Sequence, residues 1–154
     1  MEDVFQKLIL MIRAYYPVLY LHSYEYYRTK QKIKGIVELL RREGKKVNYY
    51  QWDCVYGLVQ ILPDKTEKRI ERMQNPLEVL AYILNSKKSG EKNIFVLDDI
   101  NNHIERDEVK LMFRKIAEAT NNNTHAIILS SIYRLPAELE KYITVLQIPL
   151  PKRN

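Results

Sequence analysis

Apolar residues recur along this chain with two different periods. From residue 4 to 16, Val4, Phe5, Leu8, Ile9, Ile12 and either Tyr15 or Tyr16 fall at i, i+4, i+7 and i+8 spacing, which puts them on one side of an amphipathic helix. Pro17 ends that pattern, because it has no N–H for the helical ladder. The run that follows, Pro-Val-Leu-Tyr-Leu-His at 17–22, carries no charge and predicts a strand buried on both faces. Ser23 reads as a helix N-cap, with Glu25 well placed for the helix dipole. A second helix is predicted from there to about Glu43, with Tyr26, Ile33, Ile36 or Val37, and Leu40 inward and Gly44 as its stop.

Val47 to Trp52, rich in aromatic residues after a basic turn, predicts the next strand. Residues 53 to 74 mix Gly57, Pro63, Asp64 and charges and show no clear period. Asn75-Pro76 opens a helix, since Asn caps and Pro is tolerated at the first helical position. Its expected core face is Leu77, Leu80, Ala81 and Leu84, and its end Ser89-Gly90. A strand from Asn93 to Asp99 follows, then a helix from about Asp107 to Thr120 with Val109, Met112 or Phe113, Ile116 and Ala119 on one side, and a turn at Asn121-Asn122-Asn123. His125 to Ser130 is another uninterrupted apolar strand, Pro136 opens a short helix, and Ile143 to Ile148 is a last strand. Apolar strands alternating with helices of about a dozen residues imply βαβ units, hence an α/β fold: a three-layer sandwich with a mainly parallel sheet of about five strands. No repeat, low-complexity tract or linker divides the chain, so 1–154 reads as a single domain.

Composition narrows the class. With 154 residues, 46% apolar and 29% charged, the chain can bury a substantial core and is neither disordered nor fibrous. A net charge of +6 suits an acidic partner and keeps nucleic acid open as one. The basic residues are spread, however, over Arg41-Arg42, Lys45-Lys46, Lys87-Lys88 with Lys92, and Lys152-Arg153, which fits a solvated basic surface better than one binding face. The lone Cys54 excludes an internal disulfide and a thiolate zinc cluster, and is expected to be a buried small hydrophobe. The acidic start Met1-Glu2-Asp3, and Arg13 within the first apolar stretch, predict neither a secretory signal nor a membrane span. A cytoplasmic protein with no membrane partner is expected.

The chemistry concentrates at Ile94-Phe95-Val96-Leu97-Asp98-Asp99. That run resembles the magnesium-coordinating (Walker B) strand of P-loop ATPases, in which a carboxylate emerges at the end of a buried strand. A phosphate-holding G-x-x-x-x-G-K-[ST] loop has no counterpart, because the chain's only glycines are Gly35, Gly44, Gly57 and Gly90. Without it, Asp98 and Asp99 read as caps for a loop or neighbouring helix in preference to metal ligands. His103 near Asp98 makes an unspecific metal pattern, and no metal is expected. His22 and His125 read as hydrogen-bonded strand-end residues, and the Tyr15-Tyr16 and Tyr24 to Tyr27 groups as partly buried helix-face residues. Ser130 and Ser131 lack the glycines of a nucleophile elbow.

The succession of an acid-ended strand, a helix, an apolar strand ending Ser130-Ser131, a proline-led helix at Leu135-Pro136-Ala137 and a last strand closing Pro149-Leu150-Pro151 resembles the core of AAA ATPases. More narrowly, Ile12-Arg13-Ala14-Tyr15-Tyr16-Pro17-Val18-Leu19-Tyr20, the pair Trp52-Asp53, and Ile143-Thr144-Val145-Leu146 through Pro151 are similar to the atypical N-terminal domain of a group of bacterial and plastid AAA ATPases. The likeness spans nearly the whole chain except 59–74. It implies an AAA/P-loop-like core with no helical lid, since the sequence stops at Asn154 before the lid and the arginine-bearing elements would follow. It places Ser130 and Ser131 at a sensor position and Asp99 where a Glu would orient the attacking water. Where the phosphate loop would lie stands His22-Ser23-Tyr24-Glu25-Tyr26-Tyr27-Arg28-Thr29-Lys30, whose bulk and Glu25 would fill the anion site. The resemblance implies a non-catalytic AAA-like assembly or regulatory domain that needs no cofactor and contacts an AAA ATPase module or copies of itself. Two alternatives stand beside it: ATP and magnesium held by Asp98, Asp99 and Ser130 with an altered loop around Ser23 to Thr29, or a basic nucleic-acid-binding domain.

Overall fold

The computed structural model describes residues 2–87, 90–119 and 123–150. In chain order the elements are α1 (Glu2–Arg13), β1 (Val18–His22), α2 (Tyr26–Arg42), β2 (Val47–Asp53), β3 (Gly57–Ile61), β4 (Glu67–Glu71), α3 (Pro76–Ser86), β5 (Lys92–Asp98), α4 (Asp107–Glu118), β6 (Thr124–Ser130) and β7 (Thr144–Gln147). Short 3-10 turns at Ile100–His103 and Ala137–Leu139 follow β5 and β6.

One sheet runs β4-β3-β2-β5-β6-β1-β7. The five strands β2, β5, β6, β1 and β7 are parallel, as expected, and β3 and β4 add an antiparallel extension. The extension is the 53–74 segment in which no period was legible. β4, Glu-Lys-Arg-Ile-Glu, is an exposed edge strand whose charges discourage pairing with another chain, so it carries no hydrophobic alternation to read.

Alternating strand residues feed two cores. Leu19, Leu21, Val47, Tyr49, Ile94, Val96, Ile127 and Leu129 face α1 and α2. Val18, Tyr20, Tyr50, Trp52, Phe95, Leu97, Ala126 and Ile128 face α3 and α4. Three layers result. On the second face Tyr50 stacks on Phe95 at 4.4 Å between ring centroids, with Tyr82 of α3 edge-on to both.

Several local expectations shift. α1 ends at Arg13 instead of running to Pro17, because Tyr15 takes a left-handed φ of 66° that breaks the helix; Tyr15 and Tyr16 are exposed. α3 is capped by Asn75, whose side chain accepts from Leu77 N at 2.9 Å. Its inward residues are Pro76, Val79, Leu80 and Ile83, while Leu77, Ala81 and Leu84 lie half-buried beside them; the apolar stripe is wider than the core contact, so its centre is not fixed by spacing. Ser89, Thr120, Asn121 and Asn122 lie outside the described residues, and α4 ends at Glu118 with Val109, Phe113 and Ile116 inward. Chain connections leave β1 towards β2 and β6 towards β7, in opposite directions along the sheet. The C-terminal ends of these neighbours are the switch point at which α/β sheets place their ligands.

Candidate functional site

β5 is buried along its length until Asp98, the first acid to reach its C-terminal end. Asp98 Oδ2 accepts from Lys30 Nζ, which arrives from α2. The pair is partly buried, with side-chain exposures of 15% for Asp98 and 23% for Lys30. The other carboxylate oxygen, Oδ1, is buried without a hydrogen-bond partner. Burial pushes the Asp98 carboxyl above its usual range; Lys30 opposes the shift, and Asp99 and Asp53 add to it.

Asp99 leaves the strand with φ 57°, a left-handed geometry that Asp tolerates better than most residues. Its N–H donates to Leu129 O at 2.9 Å. Its carboxylate accepts from the Tyr26 hydroxyl, and the Tyr26 hydroxyl oxygen accepts from Ser131 N at 2.9 Å. Tyr26 thus ties the start of α2 to the ends of both β5 and β6. Tyr26 and Lys30 are four residues apart, one turn along the same face of α2.

Ser130 sits opposite His22 in the β1–β6 register and is 1% exposed. Its hydroxyl accepts from Ile132 N at 3.1 Å and its carbonyl from Ser23 N at 3.0 Å. Asp98, Asp99 and Ser130 therefore share one edge of the sheet, but each is engaged separately. Ser23 is not the helix cap that its position suggests. Glu25 occupies that position without a side-chain capping bond, while Ser23 Oγ accepts from Glu25 N at 3.1 Å and bonds Thr29 Oγ1 at 2.9 Å. His22 bridges Gln147 and the Ser131 carbonyl. Among the described residues no three His, Cys, Asp or Glu side chains converge as a metal cluster around His103 or elsewhere.

Beside the acids, Lys30, Gln51, Asp53, Tyr56, Glu67 and Asp98 line a cavity of about 270 Å³ against the β2-β3-β4 meander. Cys54 in the adjoining turn is exposed, not buried as expected, because Asp53 Oδ1 accepts from both Val55 N and Tyr56 N and turns the chain outward there. Tyr24 and Tyr27 are likewise exposed. From sequence Tyr26 reads only as an inward helix residue and Lys30 only as part of the segment in place of a phosphate loop, and neither as a partner of the acids. Their spacing of four on the side of α2 facing an acid-ended strand is the signal that marks them.

The arrangement is an α/β core whose C-terminal strand edge is cross-tied by its own side chains. A model of the SpoVK-like AAA ATPase N-terminal domain matches residues 4–148. The chain belongs to this family. The matched span includes residues 59–74, which the sequence likeness left out. Similar proteins include the AAA domain-containing proteins ycf46 of Guillardia theta, 28% identical over 147 residues, and of Trieres chinensis, 28% over 149 residues. These alignments cover 94% and 96% of this chain but 27% and 28% of the relatives. The ycf46 protein of Pyropia yezoensis is 26% identical over 147 residues, or 95% of this chain and 28% of its own length. This SpoVK-like domain thus spans roughly a quarter of the curated relatives it matches. Among the described residues no helix is long and apolar enough to cross a membrane.

Proposed function

We propose that this domain is a non-catalytic AAA-like module for assembly or regulation, working beside an AAA ATPase module and not turning over nucleotide itself. The observation that carries the reading is the cross-tie at the sheet edge, where Lys30 and Tyr26 hold the two acids that magnesium nucleotide would require. An arriving phosphate would have to draw Lys30 from Asp98 and would meet Glu25 at the N-terminus of α2, where a carboxylate opposes a second anion. No glycine lies between β1 and α2, so the backbone there is not free to wrap N–H groups around phosphate. The relatives' description as AAA domain-containing proteins supports a companion module in the same polypeptide, where linkage would raise the effective concentration for contact. A reducing cytoplasmic setting fits the exposed lone thiol of Cys54.

The Lys30–Asp98 pair also favours one rival, in which Lys30 turns to a phosphate while Asp98, Asp99 and Ser130 hold magnesium ATP. Calorimetric titration of the protein with magnesium ATP separates the two. No binding in the micromolar range is expected, and a micromolar Kd would replace the first reading with the second.

A further inference from the structure

Two residues stand where local rules disfavour them, and both line one groove of about 270 Å³ between α2 and the β3–β4 hairpin. Gly35 lies in the middle of α2, where glycine costs a helix stability relative to alanine. Packing does not require it, because a Cβ at 35 would meet nothing within 4 Å. Lys65 takes a left-handed φ of 70° in the turn between β3 and β4, a geometry that favours glycine and strains lysine. The turn is closed by Leu62 N donating to Thr66 O at 2.9 Å and Lys65 N to Leu62 O at 2.8 Å, which holds Lys65 in place. Local rules broken with no gain inside the fold mark functional positions.

The groove combines apolar surface with positive charge. Buried Val37 and Ile61, with the more open Leu62 and Pro63, supply the apolar part. Among the described residues that line it, Lys34, Arg41 and Lys65 are basic and Glu38 alone is acidic. Arg41 is fixed there by Nε and Nη2, which donate to Val47 O at 3.1 and 2.8 Å. Neither Lys34 nor Lys65 forms an ion pair among the described residues. Asp64, beside Lys65, turns its carboxylate to Thr66. The field stays positive with Asp64 counted, since α2 carries six bases and Glu38 as its one acid.

Size and chemistry select the occupant. The groove is smaller than the ~300–1,000 Å³ of small-ligand pockets, which suits a side chain of a larger partner better than a free small molecule. Tyr49, the aromatic residue in the lining, is buried and offers no ring for stacking a nucleic-acid base. The missing side chain at 35 lets a main chain lie against α2, and the positive field draws carboxylates. We propose that this groove docks an acidic polypeptide partner, an extended segment that seats an aliphatic side chain over Val37, Ile61 and Leu62 and sets its carboxylates against Lys34 and Lys65. The site lies apart from the acid-ended strand edge and does not depend on whether nucleotide binds there.

Fluorescence anisotropy with a fluorescein-labelled peptide of alternating glutamate and leucine, whose leucines share one face when extended, tests this. The parent should bind it with a submillimolar Kd, and a peptide with serine for leucine should bind about tenfold more weakly. Gly35→Leu and Lys65→Gly should each weaken binding about fivefold or more while raising the thermal midpoint, the first by removing a helix glycine and the second by relieving the left-handed strain. That pairing of greater stability with lost affinity is what a groove kept for a partner predicts. Lys34→Glu with Lys65→Glu should cost about tenfold, whereas Lys115→Glu with Lys141→Glu, the same charge change on the α4 side, should stay within about twofold. No submillimolar binding, groove variants that bind like the parent or melt lower, or an equal loss in the α4-side variant each overturns the proposal. A groove that takes no peptide leaves the non-catalytic reading as it stands, since that reading is decided by the magnesium ATP titration.

Discussion

The two edges of the sheet solve the same problem with opposite electrostatics. At the C-terminal edge a helix is tied down by compensated charge, Lys30 to Asp98, and by the Tyr26 hydroxyl to Asp99. At the N-terminal edge the tie between α1, β5 and β6 contains no acid. His125 Nδ1 donates to Tyr16 O at 2.6 Å, which leaves Nε2 as the acceptor for Lys92 Nζ at 2.8 Å. Lys92 also donates to Ile12 O at 3.2 Å, covering an open carbonyl in the last turn of α1. Burial pushes His125 down to about 3, with Lys92 next in effect, and burial pushes Lys92 down to about 8. One edge is pinned by an ion pair and the other by a ring that must stay neutral. Their responses to acid therefore run in opposite directions.

The largest effect expected from this contrast is on stability against pH. Unfolded, His125 takes a proton near 6.5, whereas folded it resists protonation until about 3. Its contribution is present above 6.5 and is lost as pH falls from there towards 3, because unfolding then takes up a proton. The loss accumulated by about pH 4 is on the order of 3 kcal/mol. Asp98 has the opposite sign. Its raised carboxyl favours the fold below its ordinary value of 3.8 and loses that contribution as pH rises through the shifted value. Urea denaturation midpoints between pH 7 and about 4, for the parent and for His125→Asn, test this. The parent should lose stability more steeply than the variant, and parallel curves would sink the account of the N-terminal edge.

A smaller loss is expected from breaking the C-terminal tie. Asp98→Ala leaves Lys30 partly buried without its anion, for about 2 kcal/mol, less than a fully buried pair because water still reaches the site. Lys30→Met added to Asp98→Ala should restore much of it, since removing both charges removes the desolvation cost as well. A double-mutant cycle on denaturation free energies should give a coupling of about 1 kcal/mol or more. A single-variant loss below about 0.5 kcal/mol would place the pair among ordinary surface bridges and weaken the case that it closes the edge.

Much of the α/β core was legible because buried parallel strands leave uninterrupted apolar runs, as in Val18 to Leu21 and Ile94 to Leu97. β4 was not, since an edge strand protected by charge is written in the same letters as a loop. The site divided along similar lines. Asp98 and Asp99 stand out at the end of an apolar run, whereas Tyr26 and Lys30 are ordinary helix residues whose role comes from contacts 73 and 68 residues away. The N-terminal tie was equally hidden: Lys92, His125 and the carbonyls of Ile12 and Tyr16 meet only when α1, β5 and β6 have assembled.

The smallest expected effect falls on the residue that the family likeness marks as a sensor. Ser130 has its hydroxyl turned to Ile132 N within its own turn, a local bond between neutral groups. Ser130→Ala removes one acceptor and leaves Ile132 N, partly buried, to find another, for about 0.5–1 kcal/mol. Because Ile132 O stays bonded to Tyr20 and Asn101, the turn itself should hold. A thermal melt should show a shift of a few degrees at most. If Ser130 instead helps to hold a nucleotide, the melt of the parent in magnesium ATP would rise and that of Ser130→Ala would rise less, a difference that a purely structural hydroxyl cannot produce.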